Sequence, residues 1–253
     1  MRTSVRIFFE KIRIDENAMK IILIALAITI VLAVLYKESG SGGVSLPFMR
    51  VQMENPLPQS SPIYQQHQAF VDKFNANEKI IAKFGGTISS KGLFAIQKEM
   101  HRRGGVTLPR KQIIAENRAM VAMMARLPQA SCAKLARPRD DYDEALTMDV
   151  LSALERLPAK HHKSMTDFMC DAMVADVENA AAIPVNEDNY QAALRDLGRT
   201  YHGESAEKLT RVFGNVNAAN DADACWAINS LMTAAEAMPA NYTEALMRHS
   251  WSK

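Results

Sequence analysis

The chain of 253 residues sets 30 Lys and Arg against 28 Asp and Glu, for a formal net charge of +2. Five of those bases and three of the acids precede position 37, so the remainder carries 25 of each and is neutral. Neutrality argues against a nucleic-acid partner and against a general electrostatic grip on anionic lipid. Modest glycine, few aromatics (7%) and abundant Ala and Met give a helical composition, of a length that suits one domain after any N-terminal anchor.

Residues 1–18 read as a short cytoplasmic segment, in which the mixed apolar and basic run from Val5 to Ile14 could lie along a membrane face. Met19 to Tyr36 is apolar apart from Lys20. At about 1.5 Å per helical residue, a run of this length roughly crosses a hydrocarbon core of about 30 Å. Arg2, Arg6, Lys11, Arg13 and Lys20 lie before or at its edge and only Lys37 follows closely, so the charge asymmetry keeps the N-terminus inside and sends the rest out. The run is long for a signal-peptide core and no A-x-A-like site follows it, which favours an uncleaved signal anchor in a bacterial inner membrane, with a periplasmic C-terminal part. Ala25, Thr29 and Ala33 recur every four residues, a spacing of small residues that lets membrane helices associate closely.

Residues 37–61 read as a linker, first Gly/Ser-rich and then carrying Pro47, Pro56 and Pro58. Its apolar residues Leu46, Phe48, Met49, Val51 and Met53 would dock either on the domain or on a partner. From 62 to 253 the apolar spacing is helical almost throughout, and predicts an all-α domain, a multi-helix bundle or orthogonal arrangement. Ile63, Phe70, Phe74, Ile81 and Phe84 form the first stripe. Gly85-Gly86 and Gly104-Gly105 read as helix stops, and Pro109 as the first residue of the next helix. Asp140 or Asp141, Asn186, Asp221 and Asn241 (with Glu244 as a capping box) read as later helix starts. The predicted core includes Phe70, Ile81, Ile113, Leu151, Phe168, Leu194, Trp226 and Leu231. Arg126-Leu127-Pro128 and Arg156-Leu157-Pro158 match at a 30-residue offset, better explained by helices ending in Leu-Pro than by a repeat.

Among the cysteines, Cys170 falls in core register with Val174 and Val177, whereas Cys132 and Cys225 each lie just inside a predicted helix start. In an oxidising compartment this placement favours a Cys132–Cys225 disulfide with Cys170 free.

Little in the sequence carries chemistry. His162, Met165, Met169 and Met173 share a helix face, and imidazole with thioether ligands suits copper(I). The same spacing is what a core-facing helix needs, Met is common throughout, and the reading is no metal and no cofactor. Asp140, Asp141, Asp143, Glu144 and Asp149 lack the spacing and turn glycine of a calcium loop. Glu99 and Glu116 are conceivable acids for glycan hydrolysis but read as solvated, and the basic cluster around Lys98–Lys111 likewise. No nucleophile elbow, zincin, phosphate-loop or dinucleotide motif occurs. The expectation is a membrane-anchored, non-enzymatic helical domain acting through a protein partner in the cell envelope, as a scaffold subunit or a tethered inhibitor of an exported toxin, with homo-oligomerisation possible. A cell-wall hydrolase and a periplasmic copper or other metal binder are the alternatives.

Overall fold

Proline marks four of the helix starts. Pro109, Pro128, Pro158 and Pro239 each sit at an N-cap, with φ between −53° and −62° and ψ between 137° and 147°. The ring fixes φ there, and the carbonyl of each proline accepts the first helical N–H bonds, as from Ile113, Cys132, His162 and Thr243. The residue before each proline is apolar (Leu108, Leu127, Leu157, Met238) and packs in or against the core. Proline therefore stands just outside Arg110, not as the first helical residue. The two Arg-Leu-Pro tripeptides do meet: Arg126 Nε donates to the Arg156 carbonyl at 3.1 Å, and Arg156 donates back to the Arg126 carbonyl at 2.8 Å.

The computed structural model describes residues 53–55, 57–84, 90–137 and 143–252. These form eleven helices and no strand. They are α1 (Tyr64–Ala76), α2 (Glu78–Phe84), α3 (Ser90–Gly105), α4 (Arg110–Met124), α5 (Gln129–Ala136), α6 (Glu144–Glu155), α7 (Ala159–Val177), α8 (Glu187–Thr200), α9 (Glu204–Gly214), α10 (Asp221–Ala237) and α11 (Ala240–Trp251). Two of them act as hubs. α7 packs against α1, α2, α3 and α4, and α10 against α4, α5, α8, α9 and α11. α4 touches both hubs, while α11 closes the assembly by packing on α3, α4, α8 and α10.

The all-α expectation holds for the described residues. The apolar run 19–36, its Ala25, Thr29 and Ala33, and the first part of the linker lie outside them; among the described residues no helix is long and apolar enough to cross a membrane. The domain begins earlier than position 62. Met53 and Leu57 are buried, and the Asn75 side chain clamps Met53 at both its N–H (2.9 Å) and its carbonyl (2.8 Å). The end of the linker is thus a strap docked on the domain.

Other expectations shift for local reasons. α3 ends at Gly104-Gly105 as read, and Gly104 has a second role: an added Cβ there would fall 1.8 Å from the Ala172 carbonyl oxygen, so glycine lets α3 and α7 touch backbone to backbone. Asp143, not Asp140 or Asp141, caps α6 by accepting from Leu146 N–H, and α10 starts at Asp221 as read, with Asn220 before it accepting from Asp223 N–H. Asn186 caps α8 as expected. Asn241 lies inside α11 and donates to Asn189, so it makes no capping box. Leu194 and Trp226 pack at the margin of the core, half-buried; the other six predicted core residues are buried. Arg248, 2% exposed, ties α11 to the α3–α4 turn by donating to the Val106 and Leu108 carbonyls, each at 2.6 Å, with Glu244 as its counter-ion.

Candidate functional site

The polar groups inside α7's packing are the most unusual feature. His162 projects from the first turns of α7 into the core, and His67 meets it from α1, His67 Nδ1 to His162 Nε2 at 3.4 Å. Both residues are fully buried. One neutral ring can donate its N–H to the lone pair of the other. Among the described residues, the outer nitrogens, His67 Nε2 and His162 Nδ1, meet no protein partner. Burial lowers the His67 pKa to about 4; burial and then the neighbouring His67 lower that of His162 to about 3. His67 was readable in retrospect, because 63, 67, 70 and 74 form one helical stripe in which it is the only polar member.

The rest of the face singled out from sequence lies where helical spacing puts it. Met165, Met169 and Met173 are buried beside Phe168 in the packing of α7, and Cys170 is buried with its thiol pushed up to about 11. Among the described residues, no group of three or more His, Cys, Asp or Glu comes together to hold a metal ion. The acidic run does not converge either: Asp143 caps α6 and pairs with Lys134, Asp149 accepts from Ser131, and Asp140 and Asp141 lie outside the described residues.

Two readings of charged residues as solvated are overturned. Glu116 is 2% exposed, neither carboxyl oxygen has a partner among the described residues, and burial raises its pKa to about 8. It follows Ile113 by one turn on the core face of α4, beside the equally buried Asn117. His101 is buried between Phe168 and Trp251, with ring centroids 5.1 and 6.2 Å away, and burial lowers its pKa to about 4. The other bases of that cluster behave as surface groups: Arg102 and Arg103 pair with Glu99 and Asp176, and Arg110 with Glu244. Glu99 is partly exposed, its pKa lowered chiefly by the hydrogen bond from Arg102.

An open, shallow cleft of about 550 Å³ lies between α1, α2 and α7, lined by Lys73, Asn77, Lys79, Asp171, Val174 and Glu178 among others. Its charges are mixed, Asp171 is engaged by Gln112 at 2.6 Å, and Glu116 does not line it. A buried acid and a surface cleft are therefore separate features, unlike the paired carboxylates flanking one bond that glycoside hydrolysis requires.

The covalent feature is at the other hub. Cys132 on α5 and Cys225 on α10 form a disulfide, Cα atoms 5.1 Å apart, and Cys170 is free. Asn229 donates toward both sulfurs at 3.3 Å. No family model matches the chain, and no curated protein or solved structure is similar to it.

Proposed function

We propose that this protein is a single-pass component of a bacterial inner membrane, N-terminus inside, whose neutral helical domain works in the periplasm through contact with a protein partner, as an accessory or scaffold subunit or a tethered inhibitor. The observation that carries this reading is the apolar run from Met19 to Tyr36 with its bases on the N-terminal side. The Cys132–Cys225 bond is in keeping with it, since structural disulfides persist in oxidising compartments. Docking of Met53 shortens the tether this reading implies. About 16 residues separate the apolar run from Met53, and a flexible chain of that length has an r.m.s. reach of about 20–24 Å. The domain would then work within one domain diameter of the membrane, on a membrane-proximal partner. Reporters fused after Lys253 test the orientation. A periplasm-dependent reporter should be active and a cytoplasmic one silent; the reverse pattern refutes the reading.

A further inference from the structure

The His67–His162 contact stands apart from the rest of the core because its only specific interaction depends on protonation. We propose that it is an acid-sensitive latch: a proton on each of the two facing nitrogens forces the rings apart and releases α1, with the strap that begins at Met53, from α7.

The geometry supplies the trigger. At 3.4 Å, one hydrogen fits between Nδ1 and Nε2, whether the pair is neutral or carries one added proton. A second added proton puts N–H against N–H and two like charges in a fully buried seam. Among the described residues, no carboxylate pairs with either ring. On α1, Lys73 is held at the surface by Asp167 of α7, which also pairs with Lys163, and Asp72 is taken by Gln68. Glu54 of the strap is exposed, and Glu78 and Lys79 of α2 line the cleft beyond Lys73. Arg118 and Arg126 at α4 and Glu236 on α10 bear on His161, the half-buried neighbour, while His162 feels only His67. Burial holds both rings neutral at pH 7, so the latch is closed there.

The packing decides what moves. α1 rests chiefly on α7 and α2, whereas α7 is also held by α3 and α4. Separation at the histidines therefore lifts α1 and leaves the hub. It would uncover Phe70, Val71 and Phe74, all buried at neutral pH. The inference does not depend on the membrane tether.

Hydrogen exchange of the full-length protein in detergent micelles tests it, read at pH 7 and at about pH 4 to 3 with intrinsic rates corrected. Residues 64–76 should lose at least about tenfold more protection than 110–124 or 221–237. A His67→Gln/His162→Gln variant, which cannot take up these protons, should keep α1 protected, and His101→Gln should respond like wild type. Simultaneous loss in all helices, or unchanged release of α1 in the double variant, overturns the latch. If the double variant is unfolded at pH 7, imidazole C2 exchange in the wild type decides: both rings should titrate well below the ordinary value of about 6.5, and an ordinary value for either refutes it.

Discussion

The two hub helices solve the same packing problem in opposite ways. α10 turns a face of small residues to its neighbours (Ala224, Ala227, Ala234 and Ala235, with Ile228 and Leu231), and a disulfide to α5 fixes its first turns. α7 turns His162, Met165, Phe168, Met169 and Met173 inward, and its packing holds polar groups that lack partners among the described residues: the outer nitrogens of His67 and His162, and both nitrogens of His101. A seam closed by a covalent bond is insensitive to pH. A seam closed by uncharged imidazoles is stable only while they stay uncharged, so the difference divides the domain into a half that is locked and a half that responds.

The largest expected effect falls on the locked half. The bond spans 93 residues, and in the chain-entropy account such a closure stabilises by about 4–5 kcal/mol. Cys132→Ser/Cys225→Ser should lower the melting temperature by roughly 10–15 °C in a thermal scan at pH 7. If the midpoint does not move, the contrast between the hubs loses its basis.

Next comes the strap side. Phe74 is fully buried against Phe84, ring centroids 5.5 Å apart. Phe74→Ala should cost about 3–5 kcal/mol. Limited proteolysis should then cut within residues 53–84 first, while fragments containing α10 persist. Equal susceptibility throughout would show one cooperative unit.

A smaller, pH-dependent effect separates the buried acid from the buried bases. His67, His101 and His162 have lowered pKa values, so their contribution is present above about 6.5 and lost as pH falls through values near 4 and 3. Glu116 runs the other way: raised to about 8, its contribution is full below about 4.5 and is lost as pH rises through 8. Stability should therefore decline on both sides of a mildly acidic optimum. Glu116→Gln should flatten the alkaline limb above about pH 6.5, steepen the acid limb between about 4.5 and 6.5, and leave the slope below about 4.5 unchanged, as read by melting temperature against pH. An unaltered alkaline limb would mean that Glu116 finds a partner and is not neutral.

Much of this architecture was legible in the chain. Period-3.6 stripes place the helices, Pro109 marks one start, the Leu-Pro pairs mark where helices end, and the register of Cys170 against the helix-start positions of Cys132 and Cys225 leads to the pairing found. The illegible part is mostly polar burial. Periodicity ranks Glu116 and His101 as interruptions of an apolar face, and whether such a residue turns inward depends on neighbours far along the chain, such as Phe168 and Trp251 around His101. Gly104 hid its second role for a related reason: a glycine that ends a helix looks the same in sequence whether or not it also serves close approach to a distant residue such as Ala172. Docking of the linker's end on the domain was one of two open readings, and the residue that decides it, Asn75, lies 22 positions from Met53.

The most direct test of the account is the state of the three cysteines in protein from cells alkylated before lysis. Non-reducing peptide mapping should recover Cys132 joined to Cys225 and Cys170 as a free, slowly alkylated thiol. Three free thiols, or a bridge that includes Cys170, would contradict both the locked half of the domain and the placement of that domain in an oxidising compartment.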